Sequence, residues 1–247
     1  MAVGVTVYYG NDSSDTGHSQ AGSGEVQAST GVSEAARQPN LKVERVAAYI
    51  KGGIEGKVVD TVDEAVVEEG KFDGPHIDVT FDNRAPGPSL ITKATVHVRE
   101  SGFLPSCHQI GGNLVVSMNY DFPIPAKPLK GYEKSKEISF TVKDNDLDRL
   151  TVTIGPAGDL TTPWYGLVDV SFQHDGKKTT VGPIAVVDAG TNPQFRPDGD
   201  SWIIKNVVDP YCLSESSSLV DRLMGIPDVT VSKELKSLRD KLTSMGH

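Results

Sequence analysis

Short runs in which apolar and polar residues alternate, each closed by Pro, Gly, Asn or Asp, constrain this chain more than any other feature. Ile77, Val79 and Phe81 alternate with His76, Asp78, Thr80 and Asp82. Val96 and Val98 alternate with His97 and Arg99, and Ile138, Phe140 and Val142 with Ser139, Thr141 and Lys143. Leu150-Thr-Val-Thr-Ile154 repeats the pattern, and Trp164, Gly166, Val168, Val170 and Phe172 repeat it again. A period of two puts each set on its own face of a pleated strand, so each run buries one face and leaves the other in water. Six or more such strands separated by turn residues predict a sandwich or barrel. Asp175-Gly176, between Phe172 and Val181, predicts an antiparallel hairpin, because both residues tolerate the backbone of a tight turn.

Outside this β core the pattern changes. Gly10 to Asn40 is Ser, Gly, Asp, Thr, Gln and Ala with almost no large apolar residue, too little to offset the entropy of ordering, and residues 1–40 are expected to form a flexible arm. From Leu41 to Glu69, Val43, Val46, Ala47 and Ile50 have helical spacing, as do Val58, Val62 and Val66, interrupted by Gly52-Gly53 and Gly56; strand is the competing reading. Pro193 to Pro210 reads as a loop carrying Trp202-Ile-Ile204, and Ser214 opens a short helix through Leu219 and Leu223. Val231, Leu235, Leu238, Leu242 and Met245 then follow at spacings of four and three, with Lys233, Lys236, Arg239 and Lys241 outside the stripe, which predicts an amphipathic helix. Its apolar stripe falls short of the length a coiled coil needs, so docking on the protein's own sheet is favoured over self-association through it. The expected organisation is an arm over 1–40, a β-sandwich core over 41–212 and a helical segment over 213–247.

At 247 residues the chain is long enough for one sizeable core. Its formal charge of −9 and pI near 5.1 argue against a general electrostatic affinity for nucleic acid, so RNA contact requires a local basic patch. One stretch qualifies: Lys127, Lys130, Lys134 and Lys136, with Tyr132 interleaved. Lysines would neutralise phosphates while the ring stacks on an unpaired base; the alternative is a solvated loop between strands. Cys107 and Cys212 are the only cysteines, too few for a disulfide framework and without the flanking ligands of a zinc site; two free thiols in a reducing compartment are favoured over a single bridge. The first residues lack a positive n-region and a long apolar run, and no stretch reaches the length of a membrane span, so a soluble intracellular protein is expected. Without secretion, the glycosylation triplet Asn11-Asp-Ser13 would go unmodified.

No set of residues in the sequence assembles a site for chemistry. Gly17-His-Ser-Gln-Ala21 has the outline of a nucleophile elbow but no helix pattern behind it. Asp144-Asn-Asp-Leu-Asp-Arg149 begins like a calcium loop, yet Arg149 replaces the required Gly and Gly155 stands where a bidentate Glu belongs, so it reads as a solvated turn. Gly52-Gly-Ile-Glu-Gly-Lys57 lacks both the spacing and the final Ser or Thr of a phosphate loop. The histidines are scattered, and His97 belongs to the polar side of its strand. No metal, cofactor or catalytic residue is expected.

Ala94-Thr-Val-His-Val-Arg99, then Phe103-Leu-Pro-Ser-Cys-His-Gln-Ile-Gly-Gly112, then Leu114-Val-Val-Ser-Met-Asn-Tyr-Asp121 make a strand, a glycine-bearing loop and a strand running out at Asp121. Trp164-Tyr-Gly-Leu-Val-Asp-Val-Ser-Phe172 and Val181-Gly-Pro-Ile-Ala-Val-Val187 look like the paired strands that close such a core. The arrangement, covering the middle of the chain, resembles the thirty-kilodalton superfamily of plant-virus cell-to-cell movement proteins. The resemblance implies a jelly-roll-like sandwich and a non-enzymatic protein that binds single-stranded viral RNA and escorts it through plasmodesmata. It also implies host plasmodesmal or viral protein partners, and residence in the host cytoplasm and plasmodesmata. Gly111, Gly112, Asp121 and Trp164 would be structural signature residues, with Asp121 ending its strand by accepting hydrogen bonds from the following turn. The alternative is a coat subunit or another protein-binding β-sandwich, since acidic charge and a terminal helix suit protein partners equally.

Overall fold

A computed structural model describes residues 41–60, 62–105, 107, 114–125, 127–158, 162–190 and 192–247. The expected arm, Gly111 and Gly112 lie outside the described residues. The chain is mostly β. In order, β1 (Leu41–Asp60), β2 (Val66–Asn83), β3 (Ser89–Phe103), β4 (Leu114–Met118), β5 (Phe122–Ile124), β6 (Glu133–Val142), β7 (Asp146–Pro156), β8 (Trp164–His174), β9 (Lys177–Asp188), β10 (Phe195–Asp198) and β11 (Ser201–Ile204) precede α1 (Pro210–Met224), β12 (Thr230–Val231) and α2 (Lys233–Ser244). One sheet runs β4-β1-β2-β7-β5 and the other β12-β9-β8-β3-β6. Pairing is antiparallel except at two edges, where β5 runs parallel to β7 and β12 parallel to β9.

The alternating runs lie where their period puts them. Ile77, Val79 and Phe81 from the first sheet meet Val96, Val168, Val170 and Phe172 from the second in one core, with Phe81 and Phe172 edge to face at 5.1 Å. Trp164 is fully buried in the same core. Asp175 and Gly176, both at positive φ, close the β8–β9 hairpin as expected. Residues 144 and 145 form an exposed turn between β6 and β7.

Three expected element assignments need correction. Leu41–Asp60 is β1 and Val66 to Glu69 opens β2, so these stretches are strand, not helix, and the misleading spacing has a local cause. An irregularity between Val43 and Arg45 inserts a residue, so the core-facing positions fall at Leu41 and Val43, then at Val46 and Ala48. That step of three imitates one turn of helix. Within Pro193 to Pro210 the chain forms the β10–β11 hairpin, where Phe195 and Trp202 pack edge to face at 5.2 Å. The first helix starts not at Ser214 but at Pro210, because Asp209 caps it by accepting from the Tyr211 N–H at 2.9 Å and Pro suits the first helical position.

The C-terminal stripe docks on the protein itself. Leu235, Leu238 and Leu242 of α2 join Val220 and Leu223 of α1 in a second core against Tyr165, Leu167, Ala185 and Val187 of β8 and β9. These leucines are fully buried, so the apolar face considered for self-association is occupied within the chain. Ser232 caps α2 by accepting from the Leu235 N–H, and the Trp202 indole donates to the Glu234 carbonyl at 2.8 Å.

The two cysteines are not free thiols. Cys107, after β3, is disulfide-bonded to Cys212 in α1, 105 residues away. Sequence spacing had no means of showing this, because the approach is made by the packing of α1 on the second sheet. Closing a loop of this length removes about 4–5 kcal/mol of unfolded-state entropy on the chain-entropy account. Cys107→Ser/Cys212→Ser is therefore expected to lower the unfolding free energy by roughly 3–5 kcal/mol. Urea denaturation of parent and variant without reductant measures the difference, and coincident midpoints would contradict the expectation.

Candidate nucleic-acid interface

The basic stretch is divided by the fold. Lys127 and Lys130 lie in the loop between β5 and β6, whereas Lys134 and Lys136 belong to β6. Tyr132 is half-buried, packs against the inter-sheet core and accepts the Val98 N–H through its carbonyl at 2.9 Å. Its ring is therefore engaged in packing. The Lys136 ammonium pairs with Asp121 at 2.6 Å.

Asp121 follows β4 at the crossing to β5, and its bonds do not go to the following turn. Its carboxylate accepts from the Thr153 hydroxyl at 3.0 Å and the Thr153 N–H at 3.2 Å, while its own N–H donates to the same hydroxyl at 2.8 Å. The residue stitches the β4–β5 crossing to β7. Asp121→Ala is expected to cost about 1–3 kcal/mol, the usual loss when a charge-assisted hydrogen-bond network is broken. Chemical denaturation would show it, and an unchanged midpoint would exclude the stitching role.

Lys127 and Lys130 border a cleft of about 510 Å³ together with Pro128, Leu129 and the end of β3 from Val98 to Phe103. Its floor is electrostatically settled. The Arg99 guanidinium holds Asp169 through two bonds at 2.6 and 2.8 Å. Glu100 is claimed by Arg222 of α1 at 2.5 and 2.8 Å and by the Tyr165 hydroxyl at 2.9 Å; the Arg222 bond holds the Glu100 carboxyl below the usual range. Lys127 and Lys130 have no ion-pair partner among the described residues, so the cleft carries two uncompensated positive charges. Phe103 is 40% exposed and Leu129 83%, giving the rim apolar surface beside those cations.

Phe103 and Arg99 were not singled out by sequence. An irregularity between Val98 and Glu100 in the pairing of β3 with β8 breaks the alternation, and Phe103 ends the strand on exposed surface. An aromatic residue just past a break in alternation was the available signal.

On the same sheet, Glu133, His97, Ser171 and Thr180 form a line across four strands. Glu133 bonds His97 Nδ1 at 2.8 Å, His97 Nε2 lies 3.1 Å from the Ser171 hydroxyl, and that hydroxyl lies 2.9 Å from Thr180. The first three stand in the order of a nucleophile relay. Ser171, however, is 3% exposed and shares its hydroxyl with Thr180, so the line acts as a cross-strand polar ladder. Among the described residues, no group of three or more His, Cys, Asp or Glu is arranged to hold a metal ion, and no helix is long and apolar enough to cross a membrane.

The sheets are also joined by a buried acid. The Tyr120 hydroxyl, just past β4, donates to Asp188 at the end of β9, and the Gly190 N–H donates to the same carboxylate at 3.0 Å. Gly74 permits the approach, since a Cβ there would stand 2.6 Å from Ile54 and 3.2 Å from Tyr120. Burial pushes the Asp188 carboxyl up to about 6, against the opposing hydrogen bonds from Tyr120 and Gly190. A carboxyl raised on folding contributes stability that is complete below its unfolded value near 4 and is lost as pH rises through 6. Between about pH 4 and 7.5 this group is expected to withdraw roughly 3 kcal/mol, and Asp188→Asn to abolish that component. Denaturation midpoints of both proteins across this range test it, and parallel pH profiles would refute it.

Comparison of the chain with protein-family models, with curated proteins and with solved structures finds no match.

Proposed function

We propose that this chain is a plant-virus movement protein, a jelly-roll-like sandwich that binds single-stranded viral RNA without sequence preference and carries it between cells. The reading rests on one observation: two unpaired lysines, Lys127 and Lys130, share a cleft with the exposed ring of Phe103. Cations along a groove track a phosphate backbone, and an exposed aromatic face accepts whichever base is presented. RNA binding is then local to this cleft, in keeping with a chain whose net charge of −9 repels phosphate elsewhere. On this reading the protein is not an enzyme and takes no cofactor; it works in the host cytoplasm and at plasmodesmata, with plasmodesmal or viral proteins as partners.

A second reading, a coat or assembly subunit, is favoured by the Cys107–Cys212 disulfide, since such bonds persist outside the reducing cytosol and a particle spends part of its life there.

Fluorescence anisotropy with unstructured RNA over a salt series separates the two. The parent is expected to bind at low salt, and Lys127→Ala/Lys130→Ala to flatten the slope of log affinity against log salt by about 1.4, or about 0.7 per phosphate contact. Phe103→Ala is expected to cost about 1–3 kcal/mol of affinity. Absence of binding by the parent at low salt, with closed particles forming instead, would favour the coat reading.

A further inference from the structure

The outer face of the β1–β2 hairpin, near its tip, carries a pattern that matches itself. Glu55 lies opposite Lys71, Lys57 opposite Glu69, and Val59 opposite Val66 in the register of the two strands. Ile54 and Val58 point into the core, so Glu55 and Lys57 point away from it, and all four charged residues are exposed. They line a shallow groove of about 500 Å³ with Gly56, Gly70, Ser117 and Asn119. None of the four charges makes an ion pair among the described residues, although each has a neighbour of opposite sign across the strands. Beyond them, towards the tip, the surface turns apolar: Val66 is 48% and Val67 59% exposed.

We propose that this face pairs with the same face of a second copy of the chain, about a two-fold axis parallel to the strands. Such a rotation lays β1 of one copy over β2 of the other at the same level. Glu55 then faces the second copy's Lys71, Lys57 faces its Glu69, and Val59 faces its Val66. Every charge meets its opposite and the valine row meets a valine row. An isologous contact must be self-complementary in this way. A checkerboard of two signs satisfies the requirement, whereas a patch of one sign would repel its copy. Exposed charge pairs each add little and are screened by salt, so the pairing is weak and depends on concentration and salt. It stands apart from the RNA cleft, whose residues lie on β3 and the β5–β6 loop.

Sedimentation equilibrium of the full chain from about 5 to about 500 μM tests the pairing. At low salt a reversible dimer is expected, weakening when salt is raised about tenfold. Lys57→Glu, or separately Glu69→Lys, sets like charges against the second copy and is expected to weaken the dimer at least about tenfold. The double variant Lys57→Glu/Glu69→Lys restores every opposite pair and is expected to return the dimer to within about threefold of the parent, while thermal unfolding verifies that each variant is folded. A parent that stays monomeric at the highest concentration, a dimer indifferent to Lys57→Glu, or a double variant no better than the singles would each overturn the proposal.

Discussion

Two strands of the second sheet, β8 and the second half of β9, are buried on both faces, and the architecture follows from that demand. In β8, Trp164, Val168, Val170 and Phe172 face the first sheet while Tyr165 and Leu167 face the helices; in β9, Ile184 and Val186 divide from Ala185 and Val187 in the same way. A sheet apolar on both sides cannot serve as an outer layer, because exposing either face to water forfeits the burial that holds it. The first sheet covers one side. The chain covers the other with α1, α2 and the β10–β11 hairpin. Arg222 and Glu100 tie that cover to β3, and the Trp202 indole ties the hairpin to α2. Away from the helices the same outer face is polar, with Thr95, His97, Ser171 and Thr180 bonded across strands.

Much of the β core was legible because a period of two survives wherever a strand is regular. Ile77, Val79 and Phe81, or Val168, Val170 and Phe172, report their own faces. Legibility fails where the ladder is irregular. The inserted residue near Val43 made a strand look helical, and the break near Val98 placed Phe103 on exposed surface. The start of α1 falls one turn before Ser214 because Asp209-Pro210 resembles a loop until the cap is seen to bond. Of the α2 stripe, Leu235, Leu238 and Leu242 fall in the helix and dock on the parent sheet, whereas Val231 belongs to β12 and Met245 caps the helix, partly exposed.

The candidate cleft was half legible. Four lysines lie close together in sequence, but strand geometry sends Lys136 to Asp121 and leaves Lys127 and Lys130 together. Tyr132, the aromatic nearest in sequence, is committed to packing. Phe103, distant in sequence, is brought to the cleft by tertiary structure. Local composition identifies which residue types are at hand, and only the fold decides which have partners already. The same limit hid the disulfide, whose halves are adjacent in space alone.

That bond has a topological consequence. The ring closed between Cys107 and Cys212 contains β4 to β11, and so three of the five strands of each sheet. A single cut anywhere within the ring leaves the two fragments in one covalent piece, held in register by strands that still pair across the break. Cleavage there would alter the connectivity of the molecule without dividing its mass, and the wound would become visible as two polypeptides only after a reductant had opened the ring.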